Sequence, residues 1–452
     1  MNIEELADKY RVAAPRYTSY PTVPYWDESS FTKEQYLDYL KASFRENSGE
    51  ISLYIHLPFC ESLCTYCGCN TRITKNHGVE LPYIAAVHKE WQLYLDMLEE
   101  KPVIREMHLG GGTPTFFHPQ NLAKLITGLL ENTSVHPEAE FSIEGHPGNT
   151  SAEHLSVLSG LGFSRLSLGI QDFDPKVQFI INRIQSYKSV ADVTQIARDN
   201  GFSSINYDLV YGLPLQQLEG LAQTVSLVLK QRPDRIAFYS YAHTPWVRPG
   251  QRRYTEEDLP SPELKKKLYE LGRKMLTDAG YAETGMDHFT LSSDSLCLAE
   301  QEGRLHRNFM GYTTQHSKVL IGLGVSAISD SWNAFAQNEK TVEAYMQTVN
   351  QGHFPVFKGH LLDEEDLLIR QHVLNIMCKG KTSWDLSGAK NSVLTTCIRR
   401  AGPLAQDGLI VLSDSGLEVT ATGKRFLRNI CMAFDARLWA KAPKTQLFSM
   451  AD

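Results

Sequence analysis

No stretch of this sequence approaches the roughly 18 consecutive apolar residues that span a bilayer. The first residues, MNIEELADKYRVAAPRY, lack the apolar core of a secretory leader, so the reading at this stage is a cytoplasmic protein. Positive charge is not in excess: 45 Lys and Arg face 52 Asp and Glu, a net charge of -7. That balance argues against a nucleic-acid partner, because phosphate binding favours a basic surface. No repeat at a solenoid period and no low-complexity tract is present. With 452 residues the chain exceeds one core, and two or three domains are expected.

Cysteine is scarce and unevenly placed. Of eight, four crowd into ten residues, at Cys60, Cys64, Cys67 and Cys69. A disulfide framework spreads its cysteines through a small secreted domain, whereas a tight cluster in an intracellular chain points to metal or redox chemistry. Cys297, Cys378, Cys397 and Cys431 stand apart and read as buried apolar residues.

What the chain does have is a succession of short apolar runs. They lie at 51–58, 104–112, 140–147, 164–173, 204–214 and 235–242, each ending in glycine, proline or polar residues. Each is strand length and rich in Ile, Leu, Val, Phe or Tyr. Between them, apolar residues recur at helical spacing: Ile84, Val87, Trp91 and Leu95; Leu122, Leu125, Ile126 and Leu129; Leu218, Leu221, Val225 and Leu229. Leu155 and Leu158 follow Thr150 and Ser151, which suit an N-cap. The alternation predicts an α/β fold with parallel strands, either an open doubly wound sheet or a partial barrel. Either way function gathers at the carboxyl ends of the strands. Residues 360–400 read as helical, and 408–423 as a β-hairpin turning at Asp414, Ser415 and Gly416. A helix with Phe426, Leu427 and Ile430 follows. This end therefore reads as a mainly helical, winged-helix-like domain. The expected division is an arm over 1–48, a barrel over 49–290, an extension and connecting segment over 291–360, and the helical domain over 361–452.

The spacing Cys60-x3-Cys64-x2-Cys67 puts three thiolates on one compact loop. Structural zinc and electron-transfer clusters take four ligands. Three leave one iron of a [4Fe–4S] cluster open to a small molecule. Cys69 keeps a four-cysteine zinc or ferredoxin-like site open as an alternative. Directly after the second run comes Gly110-Gly111-Gly112-Thr113-Pro114-Thr115, where missing side chains let the backbone approach a ligand. Glu144, Gln171, Asp172 and Asp208 sit in or at the ends of apolar runs, and Arg183 lies between two; buried ionisable residues need partners.

The cysteine spacing, following a strand, resembles the signature of the radical S-adenosylmethionine (SAM) superfamily. The stretches Pro15–Thr22, Tyr54–Cys60, Cys67–Asn70, Gly285–Phe289 and His306–Thr314 narrow the resemblance. Together they are similar to oxygen-independent coproporphyrinogen III oxidases, from about residue 10 to the end. The resemblance implies a partial (β/α)6 barrel of radical SAM type, with an N-terminal arm and a C-terminal domain closing the site. It implies oxidative decarboxylation of two propionates of coproporphyrinogen III to vinyl groups, giving protoporphyrinogen IX. It implies a [4Fe–4S] cluster on Cys60, Cys64 and Cys67, and two SAM molecules. By motif, the SAM contacts are Tyr54, Tyr66, Gly111, Gly112, Thr113, Glu144, Gln171, Arg183, Asp208, Ala242 and Ile328. Tyr54 and His56 are the expected catalytic neighbours, and Arg16 and Arg307 are candidates for the substrate carboxylates. Cys69 is expected to tune the site without binding iron. Gly112 replaces the glutamate of the superfamily's GGE-type motif, as in the porphyrinogen branch. A departure is His146, where family members often carry an acidic residue. Related haem chaperones and haem-degrading enzymes share the cysteine triad; the chaperones generally lack the Pro15–Thr22 arm and the Cys-Gly-Cys-Asn ending. A monomer is the default expectation, with an unidentified electron donor and acceptor.

Overall fold

The computed structural model describes residues 3–385, 392–441 and 448–451. Six strands run in chain order: β1 (Glu50–Leu57), β2 (Val103–Gly111), β3 (Ser134–Gly145), β4 (Phe163–Gln171), β5 (Ser204–Tyr211) and β6 (Arg235–Ser240). Each pairs in parallel with the next, in sequential order. A doubly wound sheet reverses its strand order and this one does not, so the partial barrel is the architecture found. Helices follow the strands: α1 (Glu80–Met97), α2 (Pro119–Leu130), α3 (Ala152–Gly160), α4 (Tyr187–Asp199), α5 (Leu218–Gln231) and α6 (Pro262–Asp278). Crossovers of one hand that always step the same way keep their helices on one face of the sheet.

The strands alternate accordingly. Leu53, Ile55, Leu57, Met107, Leu109, Ile143, Leu166 and Leu168 share one core with the helical stripe residues Ile84, Val87, Trp91, Leu122, Leu125 and Val225. Side chains one position away point to the other face. That face carries Tyr54, His56, Glu106, His108, Ser142, Glu144, Arg165, Ser167, Asn206, Asp208 and Tyr239. The fold thus makes an apolar outer layer and a polar inner one from the same strands.

Six further strands extend the sheet to twelve. β7 (Ala282–Thr284) and β8 (His288–Thr290) continue antiparallel beyond β6. At the other edge β9 (Leu320–Leu323) runs parallel to β1, followed antiparallel by β10 (Ile328–Asp330), β11 (Ala334–Asn338) and β12 (Val356–Leu361). The barrel stays open.

The C-terminal region packs the helices Glu364–Lys379, Ser392–Gln406 and Leu427–Phe434 with a three-stranded sheet of Lys381–Ser383, Gly416–Val419 and Ile410–Ser413. The hairpin turn is Asp414–Ser415, and Gly416 already belongs to its strand. Over 360–400 the helical expectation holds for 364–379 and 392–400. It gives way to strand at both Val356–Leu361 and Lys381–Ser383, and 386–391 lie outside the described residues. The chain's first helix, Ile3–Lys9, buries Leu6 in this C-terminal core. Arg428 ties the arm down through the carbonyls of Ala14, Pro15, Ser449 and Met450. Cys297, Cys378, Cys397 and Cys431 are all buried, as expected of apolar cysteines.

Candidate active site at the cysteine loop

The loop after β1 is closed by a two-residue parallel pairing of Phe59–Cys60 with Arg72–Ile73. Between these anchors the chain is pinned to the segment after β4. Thr65 N–H donates to the Ile181 carbonyl at 2.9 Å, and Asn182 Nδ2 donates to the Leu63 carbonyl at 2.8 Å. Cys60, Cys64 and Cys67 are half-buried and line a cavity of about 450 Å³ at the carboxyl ends of β1–β5.

Their surroundings differ. Burial pushes the Cys60 thiol up to about 11, partly offset by Thr113, whose Oγ1 is 3.3 Å from the sulfur. Cys67 is drawn down to about 6, first by the side chain of Cys69 and against the opposing effect of burial. The Cys69 backbone N–H adds a hydrogen bond at 3.4 Å. The same contact pushes the Cys69 thiol up. Cys69 therefore serves Cys67 as a hydrogen-bond donor. Arg183 Nη1 lies 3.6 Å from Cys64 Sγ and supplies positive charge to the loop.

A single zinc ion would hold its sulfurs about 3.8 Å apart, given bonds of about 2.3 Å and tetrahedral geometry. Among the described residues one group of three ligating atoms already lies within 4.8 Å of each other, and it is His77, Glu80 and His118. The loop cysteines form no such group of three among the described residues. Within the group that does form, the Glu80 carboxylate is engaged by His77 Nδ1, His118 N–H and Asn121 Nδ2.

The glycine run forms the cavity's second wall for a steric reason. Gly111 has φ 109°, and a Cβ there would sit 2.6 Å from the His56 ring. A Cβ on Gly112 would meet the Pro58 carbonyl at 2.6 Å. Without side chains the run packs against the chain leading to Cys60, with Gly112 N–H donating to Leu57 O at 2.8 Å and Thr113 N–H to Phe59 O at 3.0 Å.

Opposite the sulfurs stand polar groups from β3, β4 and β5. Burial would lift Glu144, but His108 at 3.4 Å, the Gly111 N–H at 3.1 Å and nearby His56 hold it below the usual carboxylate range. Asp208 rises to about 6, through burial and then the nearby charge of Glu144. Its oxygens accept from Ser167 at 3.1 Å and Asn206 at 2.8 Å. Arg183 donates to the Gly169 carbonyl at 2.5 Å. Gln171 adopts φ 66°, a left-handed conformation costly for a side-chain-bearing residue and common at functional sites. His146 also lines the cavity; burial and the Arg183 charge push it down to about 3. The position thus contributes a neutral imidazole in place of a carboxylate.

Tyr66, Gly111, Gly112, Thr113, Glu144, Gln171, Arg183 and Asp208 therefore converge on the cavity with the three cysteines. Four expected residues sit outside its lining. Tyr54 hydrogen-bonds His56 Nδ1 at 3.1 Å, and His56 Nε2 reaches the Asn70 carbonyl at 2.8 Å, so both act on the loop from beneath. Ala242 lies behind Tyr66: Gln251 Nε2 donates to both carbonyls, at 3.2 and 3.3 Å. Ile328 begins β10, whose neighbour Gly322 in β9 pairs with Tyr54.

Sequence reading missed the inner layer of the barrel. A second cavity of about 220 Å³ adjoins the first, sharing Glu144, Ser167, Asp208 and Tyr239 and adding His108, Ser142, Asn206 and His288 among others. The signal was present as period-two polarity inside the runs, Glu106 and His108 in β2 or Asn206 and Asp208 in β5.

The donors fit the group expected. Three thiols at one end leave room for a cluster, and anionic Glu144 with partly anionic Asp208 suits a cationic amino acid derivative beside it. Comparison with known proteins agrees. The family model of the radical SAM superfamily matches residues 54–226. Oxygen-independent coproporphyrinogen III oxidase of Escherichia coli is 38% identical over 98% of this chain and 97% of its own length. Its namesake in Synechocystis is 36% identical over 99% and 97%. The solved structure of coproporphyrinogen III oxidase from Escherichia coli, described as a radical SAM enzyme, superposes with a TM-score of 0.88 at 37% identity, covering 93% of this chain and 97% of that one.

Proposed function

This chain belongs to the oxygen-independent coproporphyrinogen III oxidases of the radical SAM superfamily, and on that premise we propose how its residues divide the work. The reaction is oxidative decarboxylation of two propionates of coproporphyrinogen III to vinyl groups, giving protoporphyrinogen IX. When bound, the [4Fe–4S] cluster and SAM supply a 5′-deoxyadenosyl radical able to remove an unactivated hydrogen, which acid–base groups cannot do.

Cys60, Cys64 and Cys67 hold the cluster, and Arg183 offsets their negative charge. Glu144 receives the amino group of SAM, oriented by His108 and the Gly111 N–H. Gly111, Gly112 and Thr113 let the backbone lie against the cofactor, and Gln171 and Asp208 complete the wall. Tyr66, before the third cysteine, lines the same cavity from the loop. Tyr54 and His56 hold the loop's exit at Asn70. Ala242 and Ile328 contribute through Tyr66 and β9. Binding of a second SAM is part of the same proposal.

What carries this assignment is the convergence of three thiols, the Gly111–Thr113 backbone and Glu144 on one cavity in a chain related to the oxidases over its whole length. No helix among the described residues is long and apolar enough to cross a membrane. Cluster thiolates require a reducing compartment, which supports the cytoplasm.

The test is anaerobic incubation of the reconstituted protein with coproporphyrinogen III, SAM and a strong one-electron reductant. Protoporphyrinogen and two CO2 per substrate are expected. Tight haem binding without CO2 release would place the chain with the haem chaperones instead.

A further inference from the structure

Arg307 lies in the short hairpin formed by His306–Asn308 and Gly311–Thr313, and is 6% exposed. Its guanidinium sits over the Tyr312 ring, 4.4 Å from the centroid. One terminal nitrogen donates to the Arg16 carbonyl at 3.3 Å. Nε and the other terminal nitrogen are buried and have no hydrogen-bond partner among the described residues. A buried cation in that state is costly unless something pairs with it.

Two other buried arginines are paired with carboxylates, Arg235 with Asp294 at 2.7 Å and Arg370 with Asp330 at 2.6 Å, although one terminal nitrogen of Arg235 is also without a hydrogen-bond partner among the described residues. Half-buried Arg16 meets Asp287 at 2.7 Å. Arg16 also donates to the Ser240 carbonyl at 3.2 Å. Of the two arginines considered for substrate carboxylates, Arg16 thus already has a carboxylate partner, and Arg307 has none among the described residues.

Arg307 also stands in the right place. Tyr312 and His288 line the inner cavity, with their rings edge to face at 5.4 Å. Tyr239 lines both cavities and lies 3.4 Å from His288 Nε2. Arg307 therefore backs the wall that the inner cavity presents beside the cluster site.

We infer that Arg307 is the anchor for one carboxylate of the substrate, held unpaired in the free protein so that an unspent N–H, on Nε or on the free terminal nitrogen, meets that group on binding. Nε and the free terminal nitrogen lie on opposite edges of the guanidinium, so a carboxylate approaching either edge finds an unspent N–H. The inference rests on the assignment of coproporphyrinogen III as substrate. It makes Arg307 a binding residue, with its effect expressed in substrate affinity and not in the handling of SAM.

The experiment compares wild type, Arg307→Met and Arg307→Lys, each reconstituted with its cluster. Affinity is read from fluorescence titration with coproporphyrin III, the stable oxidised form of the substrate, and thermal melting is read without ligand. Loss of a charge-assisted pair should weaken Arg307→Met by at least about tenfold in coproporphyrin affinity. Its substrate KM should rise while its SAM affinity stays at the wild-type value. Because the methionine relieves a buried unpaired charge, its unliganded melting temperature should equal or exceed wild type. Arg307→Lys keeps the charge without the planar fork and should recover part of the affinity. A merely structural Arg307 gives the opposite pattern, lower melting temperature with unchanged porphyrin affinity, and that result overturns the inference. Unchanged porphyrin affinity in Arg307→Met overturns it whatever the melting temperature. A wild-type protein that fails to oxidise coproporphyrinogen III would instead strike the substrate assignment.

Discussion

Serine at Cys60, Cys64 or Cys67 is expected to empty the site of iron and abolish turnover. The three thiols converge on one cavity and nothing else in its lining offers a soft, ionisable sulfur except Cys69. A serine hydroxyl is a hard, weakly acidic ligand and does not replace a thiolate on iron. With three protein ligands there is no redundancy, so each single substitution should have the full effect. Iron per chain should fall from about four to near zero, with matching loss of sulfide. Cys69→Ser separates the alternatives. If Cys69 only donates to the Cys67 sulfur, that variant keeps its iron and shows altered cluster stability or potential. If its iron falls as it does in the other three, four cysteines bind and the open coordination position is lost with them.

Glu144→Gln should leave the cluster intact and cripple SAM binding. Gln preserves the shape and an oxygen able to accept from the Gly111 N–H, now 3.1 Å from the carboxylate. What it removes is the negative charge that His108 and that N–H keep ionised in a buried setting. An ammonium group on a buried carboxylate contributes about 2–3 kcal/mol as a charge-assisted hydrogen bond, so SAM affinity should fall by roughly 30- to 150-fold. Isothermal titration of the reconstituted variant measures this directly. Unchanged iron with weakened SAM binding supports the role given to Glu144. Unchanged SAM binding removes it from the site.

The barrel strands were legible in sequence because each is a compact apolar run bounded by turn residues; Ile51–Pro58 and β1, or Ser164–Phe173 and β4, differ by a few positions at most. Their sequential order was not, since a run such as IREMHL says nothing of its neighbours. β7–β12 escaped for a different reason. Strands of three to six residues, such as Ile328–Asp330, carry too few alternations to show a period and exist by pairing with an established edge.

The site divided in a similar way. Cys60, Cys64, Cys67 and the Gly110–Gly112 run announce themselves because their chemistry is local in sequence. Glu144, Gln171 and Asp208 could be suspected only as polar residues in apolar runs, and the fold brings them together across three strands. His108, Ser142 and Asn206 were hidden because a single polar residue inside a strand reads as solvent-facing until the inner layer is seen. Arg16 and Arg307 looked equivalent in sequence. Tertiary pairing distinguishes them, through Asp287 beside the first and no carboxylate paired with the second among the described residues.

The central claim is that this site removes hydrogen from the propionate side chains with a SAM-derived radical. The most direct measurement is anaerobic turnover of coproporphyrinogen III deuterated at the propionate carbon next to the ring, followed by mass analysis of the 5′-deoxyadenosine released. Deuterium in the 5′-deoxyadenosine, at one atom for each propionate oxidised, is the predicted result. Product formation with unlabelled 5′-deoxyadenosine and deuterium lost to water would contradict it.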